Sequence, residues 1–324
     1  MSNRGLLDLV ISLLPGLKIT DKIYLLQVFN KEEDMFVLSK KDVEGIIEHE
    51  LTQFWDISEI FEKAGSIDTA CRTRSIKWVS YTDEMYPPLL REIYDPPSVI
   101  YYKGTLPNPE RSMLGMVGTR HPSPQAAEQA YKIAGNLSRL GISVISGLAL
   151  GIDAMSHRGS LVGGASAYAV LGSGIDEIYP SVNRPLAKRI LDSGGALISE
   201  YTPGTHPSKW SFPARNRIIA GLSRSVLIVE APKKSGALIT AGFTLEQGKD
   251  VWVASAGVES SAKFDKSGTL KLVEDGAEII GSAKDVLDKW NIGNEEIADR
   301  NGLAFGENRG ELISTIAGFL KIDI

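Results

Sequence analysis

Short apolar runs recur through residues 112–290, separated by stretches of helical periodicity. The runs "MLGMVGT", "ISVISG", "AYAVLG", "ALISE", "SVLIVEA" and "DVWVASA" are almost continuously apolar, as strands buried on both faces must be. Between them, "SPQAAEQAYKIAGNLSRLG", "NRPLAKRILDSGG" and "GALITAGFTLEQG" place apolar residues at helical spacing. This alternation predicts an α/β domain with a doubly wound, mostly parallel sheet and helices on both faces. Residues 1–76 follow another pattern. "LLDLVISLL" and "KIYLLQVF" have helical spacing, and "DVEGIIEHELTQFWDISEIFEKAG" sets acidic residues around its apolar positions, so a small N-terminal helical domain is expected. Prolines dominate residues 77–111, which read as an extended lead-in ending in the strand "SVIYYKG". Residues 291–324 hold a polar stretch and one apolar helical pattern, too little for a complete further domain.

Composition adds limits rather than a function. Of 324 residues, 43% are hydrophobic and 23% charged, the profile of an ordinary soluble globular protein. Asp8 interrupts the first apolar run, which is therefore expected to be a helix and not a signal peptide. A lone cysteine, Cys71, suits a reducing cytoplasm, and four scattered histidines offer no metal-ligand spacing. The net charge of −5 argues against a generally basic nucleic-acid binder. Its distribution changes that picture. Residues 31–63 hold ten acids and four lysines, whereas residues 111–127, 201–229 and 231–245 contain no acid at all. These segments carry Arg111, Arg120, Lys209, Arg215, Arg217, Arg224, Lys233 and Lys234. They either converge into a local anion site or form separate solvated faces.

In an open parallel sheet, ligands collect at the carboxyl ends of the strands. Those ends read "VGTRHPS", "SGLALGIDAMSH", "LGSGIDEIYPSVN", "SEYTPGTHPSKWSFPARNR" and "APKKSGALITA", each rich in Gly, Ser or Thr and most leading into a helix. Backbone N–H groups would thus line one rim, with Gly118, Thr119, Ser235, Gly236 and Thr240 among the candidates for contact. Familiar nucleotide signatures fail: Glu177 stands where a dinucleotide fingerprint needs its third glycine, and Asp250 where a P-loop needs Ser or Thr. No G-x-S-x-G elbow is present. Asp153 and His157, four apart, could pair in a structural contact. Glu200 and Glu230 close two strands and are expected to partner Arg215 or Arg217. If a helix starts at Pro213, those two arginines lie about 200° apart. One can face a ligand while the other braces the loop. Trp210 and Phe212 offer aromatic surface for a base.

Together these segments resemble the DNA-processing protein A (DprA, also Smf) family. The resemblance rests on "YPPLLREIYDPPSVIYYKG", "VGTR", "VISGLALGIDAMSHRGSL", "AVLGSGIDEIYPSVN", "LISEYTPGTHPSKWSFPARNRIIAGLS", "LIVEAPKKSGALITA" and "EQGKDVW", in family order. It implies a Rossmann-like domain that binds single-stranded DNA, dimerises and helps load the RecA recombinase during natural transformation. No enzymatic activity and no cofactor are implied. By the same resemblance the strand-binding residues would be Arg120, Ser146, Gly147, Lys209, Phe212, Arg215, Asn216 and Arg217. The N-terminal "LPGLK" loosely matches the family's helix-hairpin-helix-like turn. The alternative is a nucleotide-binding or nucleoside-monophosphate-hydrolysing enzyme of the lysine-decarboxylase-like (LOG) group. "KKSGALITAGFTLE" lacks that group's paired glycines.

Overall fold

The computed structural model describes residues 4–31, 33–34, 39–259 and 263–293. Its strands are β1 (Lys77–Ser80), β2 (Val99–Gly104), β3 (Met113–Val117), β4 (Ser143–Ser146), β5 (Ala167–Val170), β6 (Ala196–Ser199), β7 (Ser225–Ile228), β8 (Asp250–Ala254) and β9 (Glu278–Ile280). They form one sheet of order β1-β2-β6-β5-β4-β3-β7-β8-β9. Strands β3 to β9 pair parallel with one another, while β1–β2 and β2–β6 are antiparallel. Every residue of β3, β4, β5, β6 and β7 is buried. That double burial explains why those runs are apolar without alternation. The lead-in does more than end in one strand. "KWVS" forms β1 and "VIYYKG" forms β2, together extending the parallel sheet by an antiparallel edge.

Among the described residues, helices α1 (Leu7–Leu13), α2 (Ile19–Val28), α3 (Lys40–Ile47) and α4 (Ile57–Thr73) precede the sheet. Their apolar faces, through Leu7, Leu25 and Ile67, join one hydrophobic cluster with Tyr101 of β2, Ala169 of β5 and Leu197 of β6. Asp8, wholly buried, lies 2.9 Å from Arg4 Nε and accepts a hydrogen bond from Ser80 Oγ. The charge that interrupts the first apolar run is therefore a fastener between the helices and β1. The short α5 (Pro88–Arg91) follows β1.

The sheet is covered by α6 (Pro124–Arg139), α7 (Ile152–Gly163), α8 (Arg184–Asp192), α9 (Ser211–Leu222), α10 (Gly236–Glu246), α11 (Ala256–Glu259), α12 (Ser267–Glu274) and α13 (Ala283–Trp290). From β3 the chain crosses to β4 on one side and returns through β7 on the other. The carboxyl ends of these three strands thus frame the crevice at which the strand order reverses. The apolar helix expected in the tail falls outside the described residues. No helix among the described residues is long and apolar enough to cross a membrane.

Helices α6 and α7 touch backbone to backbone. A Cβ on Gly159 would lie 2.2 Å from Tyr131 O, and one on Gly163 would lie 2.4 Å from Gly135 O. This contact fixes α7, whose first turn carries Asp153. The expected Asp153–His157 pair is absent. Asp153 instead turns back to accept from the N–H groups of Gly147 (3.1 Å) and Ala149 (3.3 Å), which the turn before α7 would otherwise bury unpaired. His157 is fully buried, and neither ring nitrogen has a hydrogen-bond partner among the described residues. Burial, aided by the nearby Arg215 charge, pushes its pKa down to about 3.

Two outcomes follow for stability. Gly159→Ala should force α6 and α7 apart and cost about 1–3 kcal/mol in urea unfolding, as overpacked cores do. His157 stays neutral when folded, but the unfolded chain protonates it near its ordinary value of 6.5. Its contribution is thus complete above that pH and falls as pH descends toward about 3. Replacing it by leucine should remove about 2 kcal/mol of the stability lost between pH 7 and pH 5. Unfolding curves of His157→Leu and wild type at the two pH values give that difference directly.

Candidate functional site

The first wall of the crevice is the turn after β3. Gly118 has no room for a side chain, because a Cβ would stand 2.6 Å from Ile152 Cγ1. Thr119 N–H donates to Glu230 O at 2.7 Å, and Ile152 N–H donates to Thr119 O at 3.2 Å. The turn is thereby pinned to β7 on one side and α7 on the other. Gly151, at φ +72°, lets the chain pass, since a Cβ there would meet Thr119 O at 2.3 Å. This packing leaves Arg120 exposed on the rim, its guanidinium carbon 5.8 Å from the Phe212 ring centroid.

The second wall is the N-terminal half of α9, where the two arginines divide their work. Arg215 is 4% exposed and donates through Nη1 to Gly147 O (2.8 Å) and to Val170 O. Asp153 faces it across Gly147, where a Cβ would lie 2.6 Å from Arg215 Nη2 and 2.7 Å from Asp153 Oδ2. Burial pulls the Arg215 guanidinium down to about 10, opposed by the Asp153 charge. It remains a cation at neutral pH. Burial also raises the Asp153 carboxyl, while Arg215 and the two amides act the other way. Arg217 leaves from the opposite side of the helix. It reaches Glu200 at 2.5 Å and Asp95 at 3.0 Å. Burial there works against the charge, yet Glu200 and Asp95 carry its pKa above the ordinary value. One arginine therefore faces the crevice and the other braces the loop, as the helical spacing requires.

The third wall comes from α10. Ser235 caps it, accepting from Ala237 N–H at 3.2 Å, and Asn216 Nδ2 of α9 donates to Gly236 O at 3.1 Å. Thr240, one turn further on, is buried, and its Oγ1 has no hydrogen-bond partner among the described residues. Glu230 takes a different role from the one expected beside the arginines. It accepts from Ser123 N–H (2.8 Å) and Oγ (2.6 Å), fixing the N-cap of α6.

These walls enclose an open cavity of about 690 Å³. Gly118, Thr119, Arg120, Lys209, Phe212, Arg215, Asn216, Ser235, Gly236 and Thr240 all line it. Three predicted residues do not. Ser146 is buried behind it, donating to Met116 O at 2.6 Å. Gly147 lines a small neighbouring recess under Phe212 and Arg215. Arg217 is held by Glu200 and Asp95. Asp153 is the one carboxylate among the described residues of the lining, against Arg120, Lys209 and Arg215. Convergence of the acid-free segments is thus partial. Arg111 lines a separate cavity at the amino ends of the strands, and Arg224 packs over Trp290 at 5.2 Å. Two participants escaped the sequence reading. Asp95 sits in the proline-rich lead-in, 122 positions from its arginine. Tyr179 lines both cavity and recess, its ring 5.4 Å from that of Phe212; its only signal was an aromatic at a strand's carboxyl end. Among the described residues, no group of three or more His, Cys, Asp or Glu could hold a metal ion.

Comparison with known proteins shows the family and agrees with the fold. The sequence model of the family described as DNA recombination-mediator protein A matches residues 77–291. The chain is 37% identical to the DNA processing protein DprA of Bacillus subtilis over 76% of its own length and 80% of that protein's. It is 44% identical to protein Smf of Synechocystis over 63% of its length, spanning 52% of that longer relative. The X-ray structure of DprA from Streptococcus pneumoniae superposes with a TM-score of 0.68 at 33% identity, covering 87% of this chain and 95% of that one. DprA from Helicobacter pylori, whose structure concerns its single-stranded DNA binding mode, gives 0.57 at 27% identity over 66% and 96%. Every wall of the cavity lies within the matched residues, and the chain belongs to the DNA recombination-mediator protein A family.

Proposed function

We propose that the crevice holds single-stranded DNA without making or breaking a bond. The observation that carries this reading is the composition of the cavity wall. Arg120, Lys209 and Arg215 converge with Phe212 on a site whose one carboxylate among the described residues, Asp153, is buried and already engaged. Phosphates would meet Arg120 and Lys209 on the rim, passing close over the turns at Gly118, Thr119, Ser235 and Gly236, which line the same cavity. Thr240 Oγ1 would supply one further hydrogen bond. Asn216 would hold the Gly236 turn in place, while Ser146, Gly147 and Arg217 would act from behind by shaping the wall. A base would stack on Phe212, which a duplex would withhold. The single-stranded DNA binding named for the Helicobacter pylori relative supports this assignment.

The strand so held would be protected and passed to the RecA recombinase, with the protein acting as a homodimer in DNA processing. The family's resemblance supports that role. Nucleoside-monophosphate hydrolysis is disfavoured, because the one acid of the wall among the described residues is bound to two backbone amides.

Fluorescence anisotropy against a labelled single strand and its duplex, across a salt series, tests the reading. Salt-sensitive binding of the single strand with weak duplex binding is expected. Arg120→Ala and Lys209→Ala should each weaken binding and reduce the salt slope by about 0.7, the change for one fewer neutralised phosphate on a single strand. Both residues are exposed, so the thermal unfolding of the variants should match wild type. Absence of binding at low salt, or release of free base from a nucleoside monophosphate, would overturn the proposal.

A further inference from the structure

Beside the cavity, on the flank formed by the turns after β4 and β5, apolar side chains stand in solvent. Tyr179 is 47% exposed, Leu150 40% and Val182 68%. Tyr179 and Leu150 line the recess that Phe212 and Arg120 also line, so this surface is continuous with the main cavity. It is rigid as well as exposed. Asn183, itself buried, donates from Nδ2 to Leu148 O (2.9 Å) and Ala149 O (3.1 Å), clasping the two turns together. Apolar groups held outward on a fixed frame are a ledge awaiting something flat.

Two features indicate what lies on it. The Tyr179 and Phe212 rings are 5.4 Å apart and tilted by 42°, touching each other and leaving no slot between them. Each can therefore offer a separate face to a separate base. Beyond Val182 the chain enters α8, where Arg184 and Lys188 lie one turn apart and exposed. An aromatic platform followed by cations at helical spacing matches a polyanion that carries flat groups. A protein partner would not require the charges to follow the aromatic in this way.

We propose that Leu150, Tyr179 and Val182, continuing to Arg184 and Lys188, form a second nucleotide subsite for the strand leaving the main cavity. Its base lies on Tyr179 and its outgoing phosphate meets the α8 cations. This rests on the strand-binding reading of the cavity.

The test compares two probes, a thymidine 15-mer and a 15-mer phosphodiester of the same charge whose sugars carry no bases. Tyr179→Ala should weaken binding of the thymidine strand about tenfold and leave the base-free strand unchanged, and Tyr179→Phe should restore it. Leu150→Ser, a change at an exposed position, should produce a smaller loss on the thymidine strand alone. The Arg184→Ala, Lys188→Ala double variant should weaken both probes and lower the salt slope for both. Unchanged affinity of Tyr179→Ala for the thymidine strand would overturn the subsite while leaving the main cavity standing. An equal loss on both probes would overturn it too, because stacking cannot act on a strand without bases. A wild type that binds neither probe would overturn the subsite together with the reading it rests on.

Discussion

A guanidinium buried at the point where the strand order reverses holds this site together. Arg215 reaches from α9 to the carbonyl of Gly147 after β4 and that of Val170 at the end of β5. Each hydrogen bond from a charged donor contributes about 1.5–3 kcal/mol. An unmatched buried cation is costly, so these acceptors and the Asp153 carboxylate are a condition of the fold. Asp153 in turn organises the amides of Gly147 and Ala149. One ion thus sets the relation of a helix to two strand ends and a turn. Glycine at 147 is forced by the same ion, since any Cβ would occupy the space between the two charges.

This arrangement separates building from binding. Arg215 and Arg217 differ by two positions, yet face opposite ways. One supports the cavity floor with its charge still directed at the cavity, while the other is held between Glu200 and Asp95 at the back of the loop. Because the second arginine is satisfied inside the protein, it adds rigidity and no attraction for an anion. The rim cations, Arg120 and Lys209, have no such carboxylate partner among the described residues and sit over Phe212 and Trp210 at 5.8 and 4.9 Å. Their charges face the open cavity without a neutralising carboxylate beside them among the described residues.

The parts of this picture legible in the sequence are those governed by local rules. Strands buried on both faces advertise themselves as unbroken apolar runs, and most residues lining the cavity lie in the Gly-, Ser- and Thr-rich turns that follow such runs. The 200° between Arg215 and Arg217 is a property of any helix, about 100° per residue. What could not be read depends on contacts distant in the chain. β9 has three residues, two of them exposed, and β1 four with one exposed, so neither shows a run. Asp153 and His157 have ideal helical spacing, but the unpaired amides of the preceding turn compete for the carboxylate and win. Glu230 is drawn to the α6 cap, and Arg217 finds Asp95 far back in the lead-in, for the same reason. Buried donors take whichever acceptor the topology brings near.

The N-terminal helices also belong to this logic. Arg74, just beyond α4, pairs with Asp176 at 2.5 Å, and Asp176 also accepts from Gly204 N–H at 2.8 Å. Lys22 of α2 is drawn down from its ordinary pKa by burial, with Glu200 the charge that offsets it. Glu200 in turn holds Arg217. The segment from Glu200 to Lys209 is therefore held at its start by Arg217 of α9 and at Gly204 by Asp176, which Arg74 engages. Lys209 projects from the far end of that held segment. Since an exposed lysine loses rotamer freedom when it meets a phosphate, a stiff backbone beneath it limits the additional entropy lost on binding. The acidic helical region thus bears on the proposed site through the backbone, by helping to hold that loop in one place.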